Sequence, residues 1–178
     1  MLPSSLSAVI GSRHRPWRTH GAASLFIEAS PERLYDLVAD VTSASTRSGE
    51  VQGCVWLVGP PPGAVGSRFR GRNRAGVFRW SRVCEVVTAV RGKEFAFRTV
   101  PERFDPLRRD SSVWGYLLES EDTGTRITHY YALTKPPRPW LLAFYGIVMS
   151  HHRDPRPALR HTLEQLRQAS LTPFVGDG

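Results

Sequence analysis

The sequence predicts an α+β fold in which a seven-stranded antiparallel sheet curves around a long C-terminal helix and leaves an internal cavity. Three observations carry this prediction. Six strand-like runs follow one another between Val51 and Thr134, separated by turn chemistry and with almost no helical pattern between them. Connections that short do not make parallel crossovers, so the strands form an antiparallel meander. One long amphipathic stripe closes the chain, and a sheet with a single apolar side needs such a cover.

The elements follow in order. Residues 24–29, "SLFIEA", alternate as a first strand. In "SPERLYDLVADV", Ser30 is a good N-cap, Pro31 suits the first helical position and Glu32 favours the first turn. Leu34, Leu37, Val38 and Val41 then make one apolar face. "TSASTRSGE" is a short second helix or a loop. The meander runs through "VQGCVWLV", "SRFRGRNR", "VFRWSRVCEVVTAV", "KEFAFRTV", "SSVWGYLLES" and "TRITHYYALT". "KPPRP" then breaks the chain ahead of an apolar run, "WLLAFYGIVMS", in which Trp140, Leu141, Phe144 and Ile147 share one face of a short helix closing over the cavity. In the last helix, about 154–170, Asp154 is the cap, and Leu159, Thr162, Leu163, Leu166 and Ser170 form the stripe, with His161 off it. The organisation expected is a flexible basic arm over 1–22, a single domain over 23–172 with a Pro-rich, apolar insertion at 135–153, and a tail at 173–178.

Composition narrows the function classes. The chain has 178 residues, one domain by length, and at 40% hydrophobic it can bury a core. Its formal charge is +8, and every basic residue except Lys93 and Lys135 is arginine. Cys54 and Cys84 are isolated and sit in apolar runs, so they read as small buried hydrophobes in a reducing cytoplasm. No segment has the length of a membrane span. His151, His152 and Asp154 are near neighbours in sequence that rarely converge on one ion, so they read as polar capping, and no metal or other cofactor is expected.

The stretches "IEASPERLYDLVADV", "VQGCVWLVG", "VGSRFRGRNRAGVFRWSRVCEVV", "KEFAFRT", "DTGTRITHYYAL" and "ALRHTLEQLRQ" resemble the START-related helix-grip superfamily (SRPBCC), in a bacterial subgroup labelled polyketide cyclase/dehydratase-like. The resemblance covers about residues 24–134 and 154–170. It implies the helix-grip fold and a hydrophobic ligand, in a superfamily without a universal catalytic motif. The chain departs from the subgroup in having Arg47 near a usual tryptophan and His129 where a carboxylate is common.

Strand parity gives the candidate site. Arg68, Arg70, Arg72 and Arg74 alternate with Phe69, Gly71 and Asn73. If the arginines face water, the others face the cavity. No aromatic residue interleaves with the arginines on their own face, so a nucleic-acid platform is not expected. By the same parity Trp80, Phe95, Phe97 and Trp114 are expected to line a pocket for a planar or lipidic ligand, with Leu163 and Leu166 supplied by the helix. His129 shares the apolar side with Ile127, Tyr131 and Leu133 and is the candidate general acid or base, titrating near pH 6–7 and moved either way by burial or neighbours. Asn73, Tyr116 and Tyr131 are its candidate polar partners at a carbonyl or enolate oxygen.

Two functions of different class fit these residues. One is a cyclase or dehydratase acting on a polyketide-like or aromatic molecule. The other is a non-enzymatic carrier or sensor of a lipid or hydrophobic metabolite. Peripheral membrane contact through 140–150 is a further possibility, and the protein is expected as a monomer or homodimer.

Overall fold

Seven strands form one antiparallel sheet in a computed structural model that describes residues 19–46, 48–102, 104–105, 109–141 and 154–171. They are β1 (His20–Ile27), β2 (Val51–Trp56), β3 (Arg68–Ala75), β4 (Phe78–Val90), β5 (Glu94–Thr99), β6 (Ser111–Glu121) and β7 (Gly124–Lys135). The helices α1 (Pro31–Ala39) and α2 (Arg156–Leu171) accompany them, with a 3-10 turn at Val41–Thr46. The strand order β1-β7-β6-β5-β4-β3-β2 is a meander from β2 to β7, with β1 added beside β7. This is the α+β helix-grip architecture that the sequence predicts. Register shifts at Val51/Gly53, Val86/Thr88 and Ser111/Ser112 interrupt the ladders. Such bulges bend and twist a strand, which curls the sheet.

Local chemistry fixes the helices. Ser30 accepts a hydrogen bond from the Arg33 amide at 3.3 Å, and Pro31 opens α1. Asp154 accepts from the Arg156 amide at 3.1 Å at the start of α2. The Arg33 guanidinium donates through Nε and Nη2 to the Ser170 carbonyl, at 3.2 and 3.1 Å. A carbonyl in the last turn of α2, where the helix itself supplies no donor, is thus satisfied from α1. Leu159, Leu163 and Leu166 are buried and His161 is exposed, as the stripe requires.

Two expectations need correction. β1 starts at His20, inside the stretch expected to be a free arm, because β7 offers it a ladder: Leu133 donates to the Thr19 carbonyl at 2.6 Å and His20 pairs with Ala132. Residues 1–18 and 172–178 lie outside the described residues. In the apolar run, a helix begins at Pro139, but Leu141 is 2% exposed and Trp140 56%, so these two do not share a face. Consecutive helical residues diverge by about 100°. Phe144, Ile147, His151 and His152 lie outside the described residues.

The core is concentrated on one side of the sheet. α2 lies over β1 and β7, while α1 packs on β5, β6 and α2. Between them Ile27, Leu34, Val86, Phe95, Ile127, Leu163 and Leu166 are almost wholly buried. Tyr35 of α1 meets the edge of Phe95, with ring centroids 6.0 Å apart at 86°. On the convex side Arg68, Arg70, Arg72 and Arg74 are exposed. Arg68 and Arg98 flank Glu85 at 2.6 and 2.7 Å, and their hydrogen bonds hold its carboxyl below the usual range.

Candidate functional site: the concave face

Directly paired residues of an antiparallel ladder share a face, so the register defines the concave surface. From the β7 side it carries His129 opposite Tyr116, Tyr131 opposite Trp114, and Tyr116 opposite Phe95. Trp114 then faces Phe97, Phe97 faces Val86, and Cys84 faces both Thr99 and Phe69. Trp56 faces Phe69, Cys54 faces Gly71, and Asn73 faces Trp80. His129, Asn73, Tyr116, Tyr131, Phe69, Trp80, Phe95, Phe97 and Trp114 therefore all lie on one face, as parity predicts. Leu163 and Leu166 of α2 close over the same face from the β1–β7 side.

These residues are not equally placed to meet a ligand. Phe95, Leu163 and Leu166 are fully buried in the core with α1. Phe69 is 3% exposed and packs edge-on between Trp56 and Phe97, at 5.5 and 5.1 Å. Trp56, Asn73, Trp80, Phe97, Trp114, Tyr116 and Tyr131 keep part of their surface uncovered. Of these, Asn73, Trp80, Trp114 and Tyr131 lie toward the end of the sheet where β3 meets β4 and β5 leads to β6, and Trp56 and Tyr116 lie nearer the other end.

His129 occupies an apolar, stacked environment. Its ring lies on Tyr116, with centroids 4.1 Å and planes 7° apart, and 6.1 Å from Trp114. Nδ1 sits 3.0 Å from the Gly115 carbonyl oxygen. A carbonyl only accepts, so Nδ1 carries the proton and Nε2 is the basic nitrogen. Burial pushes the imidazolium pKa down to about 4, against the smaller upward effect of the Gly115 bond. Of the two directions open to it, burial thus takes the ring downward, and it is neutral at pH 6–7. Tyr131 is moved the other way, up to about 12, by burial and then by the charge of Asp110. Its hydroxyl is a proton donor at neutral pH.

A polar group missed by the sequence reading completes the surface. Arg82 stands between Trp80 and Cys84 on the concave parity and directly opposite Gly71. Its Nη1 donates to Asp110 Oδ1 and its Nη2 to the Asp110 carbonyl, both at 2.8 Å. Beside it Thr99, Ser111 and Ser112 bond one another, and Trp114 Nε1 donates to Ser112 Oγ at 3.0 Å. The alternation that placed Trp80 and Cys84 inside also places Arg82 there, so the signal was present. Asp110, next to a polar loop, had none. Among the described residues no His, Cys, Asp and Glu cluster suits a metal ion, and no helix is long and apolar enough to cross a membrane.

The sheet, the gripped helix and the half-open aromatic face define the class: a helix-grip protein with a partly uncovered aromatic concave face. The chain belongs to the family described as "Polyketide cyclase / dehydrase and lipid transport", whose model matches residues 18–172. No curated protein matches it. Solved structures share its fold. TTHA0849 from Thermus thermophilus is 17% identical, covering 85% of this chain and 97% of that one, with a TM-score of 0.65. Ginseng major latex-like protein 151 from Panax ginseng is 14% identical over 87% of this chain and 100% of its own, with a TM-score of 0.61. The di-domain ARO/CYC StfQ from the steffimycin biosynthetic pathway is 11% identical over 85% of this chain and 50% of its own, with a TM-score of 0.61. Likenesses at such identities speak for the fold alone.

Proposed function

We propose that the protein binds a hydrophobic, polyketide-like or aromatic small molecule on its concave face and promotes its cyclisation or dehydration by acid–base catalysis, without a metal. The observation that carries this is His129, a neutral imidazole held in one tautomer by the Gly115 carbonyl among aromatic walls. In an aldol closure Nε2 takes a proton from a methylene between two carbonyls. The resulting enolate carbon attacks a second carbonyl, a C–C bond forms, and the new alkoxide takes the proton back from Nε2. Dehydration repeats the proton removal at the same carbon, and the hydroxyl leaves as water with the proton that Nε2 has just taken. The Tyr131 and Tyr116 hydroxyls are the donors for the developing oxyanion, and Asn73, on β3 four strands from β7, holds a more distant oxygen of the ligand. The cytoplasm is the proposed location. The unit of function is one domain, 23–172, as a monomer or homodimer, with no role for nucleic acid.

The second reading, a carrier of a lipid or hydrophobic metabolite, is favoured by a separate observation. Exposed Val77, Phe78, Phe104 and Trp140 all lie at the end of the sheet where β3 meets β4 and β5 leads to β6. Arg74, Arg79, Arg109, Lys135 and Arg138 are exposed at that end as well. Apolar tips among cations suit the surface of an anionic membrane. One pair of assays separates the two readings. A cyclase converts a poly-β-ketone surrogate faster than buffer and loses this with His129→Gln. A carrier leaves the surrogate unchanged but moves a fluorescent lipid between anionic vesicles, and slows when Phe78 and Trp140 become Ser.

A further inference from the structure

We propose that the end of the concave face where β3 meets β4 holds a carboxylate-binding site built on Arg82 and Asn73, so that the ligand is an amphipathic acid, with its acid group at that end and its apolar body lying inward. The inference rests on the hydrophobic-ligand reading above and adds the charge and orientation of the ligand.

A guanidinium on an apolar concave face is costly to bury unless its donors are used. The Arg82 side chain is 13% exposed. Asp110 takes the outer edge of its fork through Nη1 and Nη2, leaving Nε buried without a hydrogen-bond partner. The Nε side is one of the two edges on which a guanidinium receives a carboxylate in paired, parallel bonds. Its cross-strand neighbour is Gly71, so no β3 side chain stands directly opposite Arg82; Nε is closed to solvent, and a carboxylate reaches it as the neighbouring side chains move aside. A Cβ at Gly71 would meet only Cys54 Sγ, at 3.6 Å.

Asn73 is the second donor. It lies two residues beyond Gly71 on β3, opposite Trp80, and so is a diagonal neighbour of Arg82 on the same face. Its side-chain amide makes no hydrogen bond among the described residues and is half-buried. Two unspent N–H donors thus stand together beside the indole of Trp80. Inward from them the face becomes aromatic and then fully apolar, through Phe97 and Phe69. Polar donors at one end and aromatic walls beyond match a molecule with a carboxylate head and an apolar body. A clamp that only pinned Asp110 to β4 would need neither the free Nε edge nor the unbonded amide.

The test uses the full chain with decanoate and decanol as probes, titrated by calorimetry at pH 7 and low salt. Wild type is expected to bind decanoate at least tenfold more tightly than decanol. Arg82→Gln should remove that preference while keeping decanol affinity within about twofold. Asn73→Ala, which breaks no hydrogen bond of the folded protein, should reduce decanoate affinity several-fold and leave decanol unchanged, so the proposal stays testable if Arg82→Gln fails to fold. Asp110→Asn, by removing the competing carboxylate, should tighten decanoate alone. Equal affinity of wild type for acid and alcohol, or equal losses for both probes in Arg82→Gln or Asn73→Ala, overturns the carboxylate site and leaves hydrophobic binding standing. Failure of wild type to bind either probe overturns both.

Discussion

The imidazole of His129 lies flat on the phenol ring of Tyr116, their centroids 4.1 Å and their planes 7° apart. The contact spans the β6–β7 ladder, where the two residues are direct partners. It fixes the plane of the imidazole, and the Gly115 carbonyl fixes its rotation within that plane. Only Nε2 is left to act on a ligand.

Substitution at this ring separates chemistry from binding. If the protein is a cyclase or dehydratase, His129→Gln should preserve folding and ligand affinity and lower turnover by roughly 10²–10⁴. With the imidazolium pKa near 4, the acid limb of kcat/KM should fall near pH 4. A limb near 6.5 in wild type would mean that another group is the base.

The same burial predicts how stability depends on pH. The folded ring has a pKa of about 4, against 6.5 unperturbed, so between these values the unfolded chain binds a proton that the native state does not. The contribution is fully present above pH 6.5 and is lost as pH falls toward 4, by up to about 1.4 kcal/mol per pH unit. Urea unfolding at pH 7, 6 and 5 should show this slope in wild type and a shallower one in His129→Phe. Identical slopes would contradict the buried, neutral imidazole.

Neighbours on β3 should behave oppositely. Phe69→Ala removes a ring packed between Trp56 and Phe97 and should cost roughly 3 kcal/mol. Arg70→Glu, exposed on the convex face, should change stability by about 0.5 kcal/mol or less. Equal thermal shifts in the two variants would show the parity to be reversed.

Gly115 should tolerate no side chain. A Cβ there would lie 2.4 Å from the ring of Tyr130, which covers Gly115 from the convex side and donates to Glu94 Oε1 at 2.8 Å. Gly115→Ala should displace that ring, break its bond to Glu94 and cost about 1–3 kcal/mol. Tyr130→Ala should relieve most of the clash, so the double variant should be more stable than the sum of the single losses implies. Strict additivity in that cycle would rule the contact out.

Alternation made most of the site legible. In β3 and β7 every second residue is apolar or small, so the side holding Phe69, His129 and Tyr131 followed from counting by two. Arg82 obeys the same count, but a charged residue on an apolar parity looks like an exception until its partner is known. That partner, Asp110, lies across β5 and beyond a polar loop, and no local pattern announces so distant a pairing. The start of β1 is hidden in the sequence for a related reason. "THGAA" has little strand character of its own and is held by the end of β7. The lowered pKa of His129 depends on what covers it, and that too is a property of the assembled sheet.

The placement of β1 beside β7 has a consequence for biosynthesis. β1 is the first strand of the sheet to leave the ribosome, and its partner there is the last strand to be made. Until Lys135 has emerged, β1 has no complete ladder to join. α2, which rests on β1 and β7, follows later still. The meander from β2 to β6 can zip up hairpin by hairpin during translation, but the gripping half of the molecule closes only near the end of synthesis. Until then the apolar residues of β1 and the edge of β6 where β7 will pair stay uncovered. In that interval the nascent chain is most exposed to mispairing and most in need of a chaperone.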